Sequence, residues 1–347
     1  MNSPQEDALT FPFADPPQSG RAVEVAPGVL WIRLALPFRL DHVNAWALDG
    51  GEEGWTLVDT GLDDPRTRQA WEELLEGGLA GRPVHRIIAT HFHPDHIGLA
   101  GWLTNRTGAG FATSLTEWLY ASLLSAGTSP ALDAATERFY ERAGLDSDTR
   151  GALLARRNAY RKAVPHVPVV MSRLRAGDRL TVGGADWQVL IGAGHTAEPV
   201  CLYSEAAGLL IPGDQLLPSI SPNISVWPSE PDADPLADYL GSFAQLRALP
   251  EETLVLPSHG LPFRGLRARL DELGAHHEER LADVLEFCST GRTAVEVAAM
   301  LFRPDLDTHQ MVFAMGETIA HLNHLWRDGR LTRRLREDGV DVYRRAG

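Results

Sequence analysis

The residues best equipped for chemistry are His91, His93, Asp95 and His96, which stand within the six-residue run HFHPDH directly after the apolar stretch VHRIIA. Neutral imidazole and carboxylate are ligands of intermediate to hard character, suited to Zn, Mn, Fe or Co, and no thiolate narrows the choice. In an extended or turning loop His91 and His93 project to a common side while Asp95 and His96 point elsewhere, so six residues can face two ions. Three further candidates follow apolar runs and adjoin glycine: His195 in GAGHT after DWQVLI, Asp214 in IPGDQ after GLL, and His259 in PSHG after TLVL. Glycine lets the backbone turn there and the side chain reach a shared centre. For any one of these alone, a satisfied loop histidine or a turn aspartate explains as much. As a set beside HFHPDH they point to a metal centre.

The elements that must position these residues are legible as short alternations. GVLWIRLAL, VNAWALD and WTLVDT have strand composition and length, PRTRQAWEELLEGGLA reads as a helix ended by Gly77 and Gly78, and VHRIIAT is a buried strand running into the histidine loop. From about 113 to 165 the pattern turns helical, with LTEWLYASLLSAG, LDAATERFYERAG and TRGALLARRNAYRKAV, placed where an insert could wall or lid a pocket. Tyr120, Tyr140 and Tyr160 fall in it and are expected to be packing aromatics. Strands return as DRLTVGG, DWQVLIGA, PVCLYSE, GLLIPGD and TLVLPSHG, separated by glycine turns. Interleaved strands and helices imply sheets covered by helices. After a boundary near Gly265 come three helices, RARLDELGAHHEERLADVLEFC, TAVEVAAMLF and MVFAMGETIAHLNHLWRDG, then two short strands about a DG turn. That is the composition of a winged-helix module. Residues 1–20, rich in Pro, Ser, Asp and Gln, are expected to be an unstructured tail.

Composition narrows the partners. A formal net charge of -14 repels phosphate backbones and argues against nucleic acid as a partner. Two cysteines, Cys201 and Cys288, offer no disulfide framework and no cysteine-based zinc site. The acidic, proline-rich start is unlike a signal peptide, and no apolar run approaches about 18 residues, so a cytoplasmic chain without a membrane span is expected. Neither GxSxG nor GxxxxGK occurs, and Ser258 reads as a turn hydroxyl.

Through VDTG at 58–61, HFHPDH at 91–96, GHT at 194–196, GD at 213–214 and SHG at 258–260, the chain resembles the metallo-β-lactamase superfamily over about residues 21–262. The resemblance implies an α+β fold, a four-layer αβ/βα sandwich spanning 21–264, with a helical insert at about 113–165 and a C-terminal winged-helix-like domain at 265–347. It implies that His91, His93 and His195 hold one divalent ion, that Asp95, His96 and His259 hold a second, and that Asp214 bridges the two. Asp59 would sit beneath as a supporting carboxylate. Zinc is the first expectation, with iron or manganese as alternatives. HHEER at 276–280, TAVEVAAMLF and HLNHLWRDGRLTRR are similar to a subgroup with glyoxalase II-like, thioesterase-like and ribonuclease-like members. Where many members carry GHSPG or GHTPG, this chain has GHTAEPV, which keeps the histidine and changes the loop beside it.

The expected activity is hydrolysis by a binuclear centre, in which a water shared by two cations is acidified from a pKa of about 16 toward neutrality. Asp95 would orient that water and take its proton. The favoured substrate is a small-molecule ester, thioester or lactone. Phosphodiester or single-stranded RNA cleavage is the alternative, and a noncatalytic metal-binding interaction protein is a third. The proline-rich loop 216–235 is expected to wall the pocket, with Asn223 as a substrate contact. The terminal module, whose third helix carries no Lys or Arg before Arg327, is expected to bury its apolar faces against the hydrolase or a second subunit in a homodimer.

Overall fold

The computed structural model describes residues 9–347 apart from 39 and 157. The chain opens with antiparallel strands β1 (Ala22–Ala26), β2 (Val29–Ala35), β3 (His42–Asp49) and β4 (Trp55–Val58), followed by α1 (Pro65–Glu73) and β5 (Val84–Ile88). Asp64 caps α1 by accepting the Arg66 and Thr67 amides, and Pro65 occupies the first helical turn, where a missing N–H costs nothing. Next come α2 (Pro94–Ile97), α3 (Ala100–Thr107) and β6 (Gly110–Thr113), then the insert helices α4 (Leu115–Ala126), α5 (Pro130–Ala143), α6 (Ser147–Ala155) and α7 (Ala159–Ala163). The third expected insert helix is thus two short ones. β7 (Ser172–Arg173) completes a seven-stranded sheet in the order β1-β2-β3-β4-β5-β6-β7, parallel from β4 onward.

The second sheet has five strands in the order β12-β11-β10-β9-β8, from β8 (Arg179–Val182), β9 (Ala185–Ile191), β10 (Val200–Ser204), β11 (Leu209–Gly213) and β12 (Leu254–Pro257). Between β11 and β12 lies α8 (Pro235–Arg247), capped by Asp234. The chain ends in α9 (Leu266–Phe287), α10 (Ala294–Leu301), α11 (Thr308–Arg327) and a hairpin of β13 (Leu331–Leu335) and β14 (Asp341–Arg345).

Three apolar cores account for the layering. Trp31, Trp46, Val58 and Ile88 of the first sheet meet Trp187, Val189, Leu202 and Ile211 of the second. The outer face of the first sheet packs on Trp71, Leu74 and Leu103. The outer face of the second carries Tyr203, Leu210 and Val255 into one core with Tyr239 and Phe243 of α8, Leu270 and Leu281 of α9, Val297 of α10 and Met315 and Ile319 of α11. The result is an αβ/βα arrangement in which strand alternation sends one face of each sheet to the sandwich centre and the other to the helices. The C-terminal helices share a core with the second sheet.

Residues 1–8 of the expected tail lie outside the described residues. The remainder, 9–20, is held on the fold: Thr10 exchanges backbone hydrogen bonds with Arg264, and Phe13 packs edge-on against Trp31. These contacts, with a further backbone bond from the Gly20 amide to the Arg33 carbonyl, outweigh a composition that reads as loop. Among the described residues no helix is long and apolar enough to cross a membrane.

Candidate metal centre

All the candidate ligands gather at one end of the two sheets, where β5, β9, β11 and β12 deliver the loops that follow them. His91, His93 and His195 form one convergent group, His91, His96 and Asp214 a second, and Asp95, His96 and His259 a third, the ligand atoms of each lying within 4.8 Å of one another. Asp214 faces both halves of the cluster. Its Oδ2 is 3.6 Å from His195 Nε2, while its Oδ1 is 3.5 Å from His96 Nε2 and 3.4 Å from His259 Nε2. Asp95 Oδ2 lies 3.5 Å from His259 Nε2 and 3.7 Å from His96 Nε2.

What fixes the imidazoles is a set of bonds on their far nitrogens. His96 Nδ1 is 2.8 Å from Asp59 Oδ2, His195 Nδ1 is 2.8 Å from the Asn223 carbonyl, His259 Nδ1 is 2.7 Å from the His42 carbonyl, and His91 Nδ1 is 3.0 Å from Thr90 Oγ1. Thr90 donates its own hydroxyl proton to Asp59, so it is free to accept from His91. Four rings thereby keep their hydrogen on Nδ1 and turn the Nε2 lone pair inward, the arrangement that metal-ligating histidines use. His93 presents Nδ1, which stands 3.0 Å from His91 Nε2.

The donor set fits a cation. The buried His96 Nε2 and Asp214 Oδ1 have no hydrogen-bond partner in the protein, and lone pairs of His91, His93 and His195 converge on one point. Buried polar atoms without partners are costly, and a positive charge at their focus removes that cost. Burial and the neighbouring imidazoles hold His91 and His93 well below the usual histidine range, and burial lowers His195, so these three stand neutral. Burial acts in the same direction on His96 and His259, but the carboxylates of Asp95 and Asp214, with Asp59 acting on His96, outweigh it and raise both.

Local backbone chemistry explains the motif spacing. Asp59 ends β4 at φ 64, a left-handed conformation rare outside glycine, which turns its carboxylate under the cluster to accept the Thr90 amide and hydroxyl as well as His96. Gly194, at φ +94, lies so close to α8 that a Cβ would overlap Tyr239 and the Pro235 carbonyl. The loop carrying His259 is pinned by Asn44, whose amide donates to the Pro257 and Gly260 carbonyls at 2.9 Å.

Asn223 differs from its expected role as a substrate contact. Its side chain is engaged by the protein, donating to Glu317 Oε2 at 2.9 Å and accepting from Ser225 at 2.5 Å, and its backbone carbonyl meets His195. Glu117 of α4 is a residue the sequence concealed. It stands three residues after Ser114, the spacing of a helix-start capping box, yet its buried carboxylate turns away and accepts the amides of Phe92 and Glu198, both at 2.9 Å. It therefore ties the His91–His93 loop to the loop after His195. Glu198, in the segment GHTAEPV, in turn accepts from the Thr116 amide and hydroxyl, and burial pushes the Glu117 carboxyl up to about 7. The Tyr160 hydroxyl donates to the Phe92 carbonyl, so the insert clasps the histidine loop from two helices.

Comparison with known proteins gives the same frame. The model of the metallo-beta-lactamase superfamily matches residues 38–259, and that of a metallo-beta-lactamase-like C-terminal domain matches 281–346. The chain is 27% identical to a probable metallo-hydrolase, YqjP, of Bacillus subtilis over 307 residues, covering 86% of this chain and 92% of that protein. The crystal structure of a beta-lactamase domain protein from Burkholderia ambifaria superposes with a TM-score of 0.91 at 43% identity, over 97% of this chain and 98% of that one. A metallo-beta-lactamase family protein from Thermus thermophilus gives 0.78 at 30% identity, over 93% and 100%.

Proposed function

The chain belongs to the metallo-beta-lactamase superfamily, and we propose that within it the protein is a two-ion hydrolase acting on an ester, thioester or lactone bond of a small molecule. The observation that carries the two-ion reading is the split of Asp214, one oxygen toward His195 and the other toward His96 and His259. Divalent ions, zinc foremost, would acidify a water and polarise the oxygen of the scissile bond. The chain's own residues do the rest. His91, His93 and His195 offer neutral nitrogens on one side, and Asp95, His96 and His259 offer the other set. Asp95, with 21% of its side chain exposed, is more open than Asp214 at 10%. That exposure supports assigning it to orient an entering water and take its proton.

Support for a small substrate comes from the C-terminal segment. Helix α11, the one that would enter a nucleic-acid groove, is buried at Ala314–Gly316, Thr318–Asn323 and Leu325. Three of the hairpin arginines have partners within the chain: Arg333 pairs with Asp232, Arg336 with Asp338 and Arg345 with Glu286. Near Asp95 the N-terminal turn of α11 brings His309 against Phe38 at 5.7 Å and Phe313 at 4.9 Å between ring centres. An aromatic rim of this kind suits an apolar group on a small ester better than a polyanion.

The deciding measurement pairs thiol release from acyl-thioesters and lactone opening with cleavage of single-stranded RNA and bis(p-nitrophenyl) phosphate. Acyl turnover that depends on added metal is expected. Phosphodiester cleavage without acyl turnover would reverse the substrate assignment.

Acid is expected to empty the two halves of the site unequally. In the metal-free chain the carboxylates raise His96 and His259, so protons compete for these nitrogens at higher pH than for His91, His93 and His195, whose values are lowered. Falling pH should therefore release the ion at Asp95, His96 and His259 first. Metal stoichiometry after equilibrium dialysis at about pH 8 and about pH 6 should fall from two ions toward one.

A further inference from the structure

We propose that helix α11 is a working part of the metal centre and that Glu317 is a positioning residue, holding the ligand His195 in place through Asn223. The proposal rests on the two-ion reading above for its ligand, while the contacts that carry it lie wholly within the chain.

The link is short and half-buried. Glu317 Oε2 accepts from Asn223 Nδ2 at 2.9 Å, and the Asn223 carbonyl is 2.8 Å from His195 Nδ1. Ser225 donates to Asn223 Oδ1 at 2.5 Å, and the Val226 amide donates to the Gly316 carbonyl at 3.0 Å, so the carboxamide and the segment beyond it are both fixed to α11. Gly316 permits this approach, since a Cβ there would come within 2.6 Å of Ser225 Oγ. The other end of the same loop is held by α9. Arg269, 3% exposed, donates to the Leu217 carbonyl at 2.6 Å and the Ile220 carbonyl at 2.8 Å. The segment 217–226 thus runs between two anchors on the C-terminal helices, and the one carbonyl it turns toward a metal ligand is that of Asn223.

A loop rich in proline and serine has no ladder of its own to set the direction of that carbonyl. Without Glu317, the Asn223 carboxamide keeps only the Phe313 carbonyl at 3.5 Å and Ser225 as partners, so the peptide is held less firmly and His195 loses a fixed acceptor for its hydrogen on Nδ1. A ligand imidazole in the wrong tautomer or rotamer presents no lone pair. The carboxylate is also an expensive group to place here: burial pushes Glu317 up to about 7, and its one direct hydrogen bond is to Asn223 among those found for its side chain. A residue retained only for packing would be better apolar.

The test uses the full chain, stripped of metal, as wild type and as Glu317→Leu, Glu317→Gln and Asn223→Ala. Cobalt titration followed by visible absorption, and zinc competition against a chromophoric chelator, read the two ions separately. Nitrogen-15 spectra of the imidazoles read the tautomer of His195 in the metal-free protein. Glu317→Leu should weaken one ion by about 10- to 100-fold and leave the other near its wild-type affinity. It should also shift the His195 Nδ1 signal. Glu317→Gln, which keeps a carbonyl acceptor for Asn223, should restore most of the affinity.

Asn223→Ala retains the backbone carbonyl and removes its anchor, so it should match the loss in Glu317→Leu, and combining the two should add little. It also serves as the probe should Glu317→Leu fail to fold. Wild-type affinities at both ions with an unmoved His195 signal would overturn the proposal, as would equal loss at both ions or absence of rescue by glutamine. A wild-type chain that takes up no ion would defeat the two-ion reading instead, leaving the His195 signal to judge the role of Glu317.

Discussion

Alanine at Asp214 is expected to lower kcat/KM by at least about 10^3-fold on any substrate the enzyme turns over, equivalent to roughly 4 kcal/mol of transition-state stabilisation. The reason is geometric. Asp214 supplies carboxylate oxygens to both halves of the cluster, at 3.6 Å from His195 on one side and 3.4 Å from His259 on the other. It is also the buried anion that balances the raised His96 and His259, which hold its own pKa well below the usual carboxylate range against the opposing effect of burial. Removing it leaves two halves with no shared group. Metal content measured on the same preparation should fall along with activity, and the melting temperature of the stripped protein should fall as well, since His96 and His259 lose the buried anion that balances them. Turnover retained within about tenfold would refute a mechanism that needs both halves.

Truncation after Gly265 is expected to abolish the soluble folded protein, even though residues 38–259 alone match the superfamily model. The outer face of the second sheet and helix α8 share one apolar core with α9, α10 and α11. Exposing a fully buried Leu, Ile or Phe costs about 1.5–3 kcal/mol, so uncovering half a dozen such side chains exceeds a total stability of about 5–15 kcal/mol. Polar contacts would be lost with them: Asn323 donates to the Pro231 and Ala233 carbonyls, Arg269 to those of Leu217 and Ile220, and Arg142 of the insert pairs with Asp341 of the hairpin. Partition into inclusion bodies, or a soluble product without dispersed amide resonances, would bear this out. A cooperative thermal transition in the truncated chain would show that the first 265 residues form a sufficient core.

The same contacts give the helical insert a defined task. Its helix α4 contributes Glu117, and α7 contributes Tyr160, both bonded to the backbone of Phe92 between His91 and His93. A lid that only covered the pocket would not need a buried carboxylate bonded to two ligand loops. The altered segment after His195, GHTAEPV, belongs to this clasp through Glu198.

Residue order along the chain was enough to specify the ligand types and the strand ends that carry them. Short-range chemistry suffices for that: period-two apolar runs specify strands, and glycine marks where the chain must turn. It did not reveal α3, α8 and β6, which show no clean apolar period, or β7, which is two exposed polar residues. How the ligands are held emerged only on folding. The groups that orient His195 and His259 are the carbonyls of Asn223 and His42, and a carbonyl is present at every position and leaves no mark in a sequence. Glu117 and Glu317 look like ordinary helix-surface acids until the fold buries the first and half-buries the second, and only then does the cost of an unpartnered carboxylate make their partners specific. Local patterning could place seven candidate ligands along the chain, but the direction of the imidazole lone pairs depended on residues up to 217 positions away.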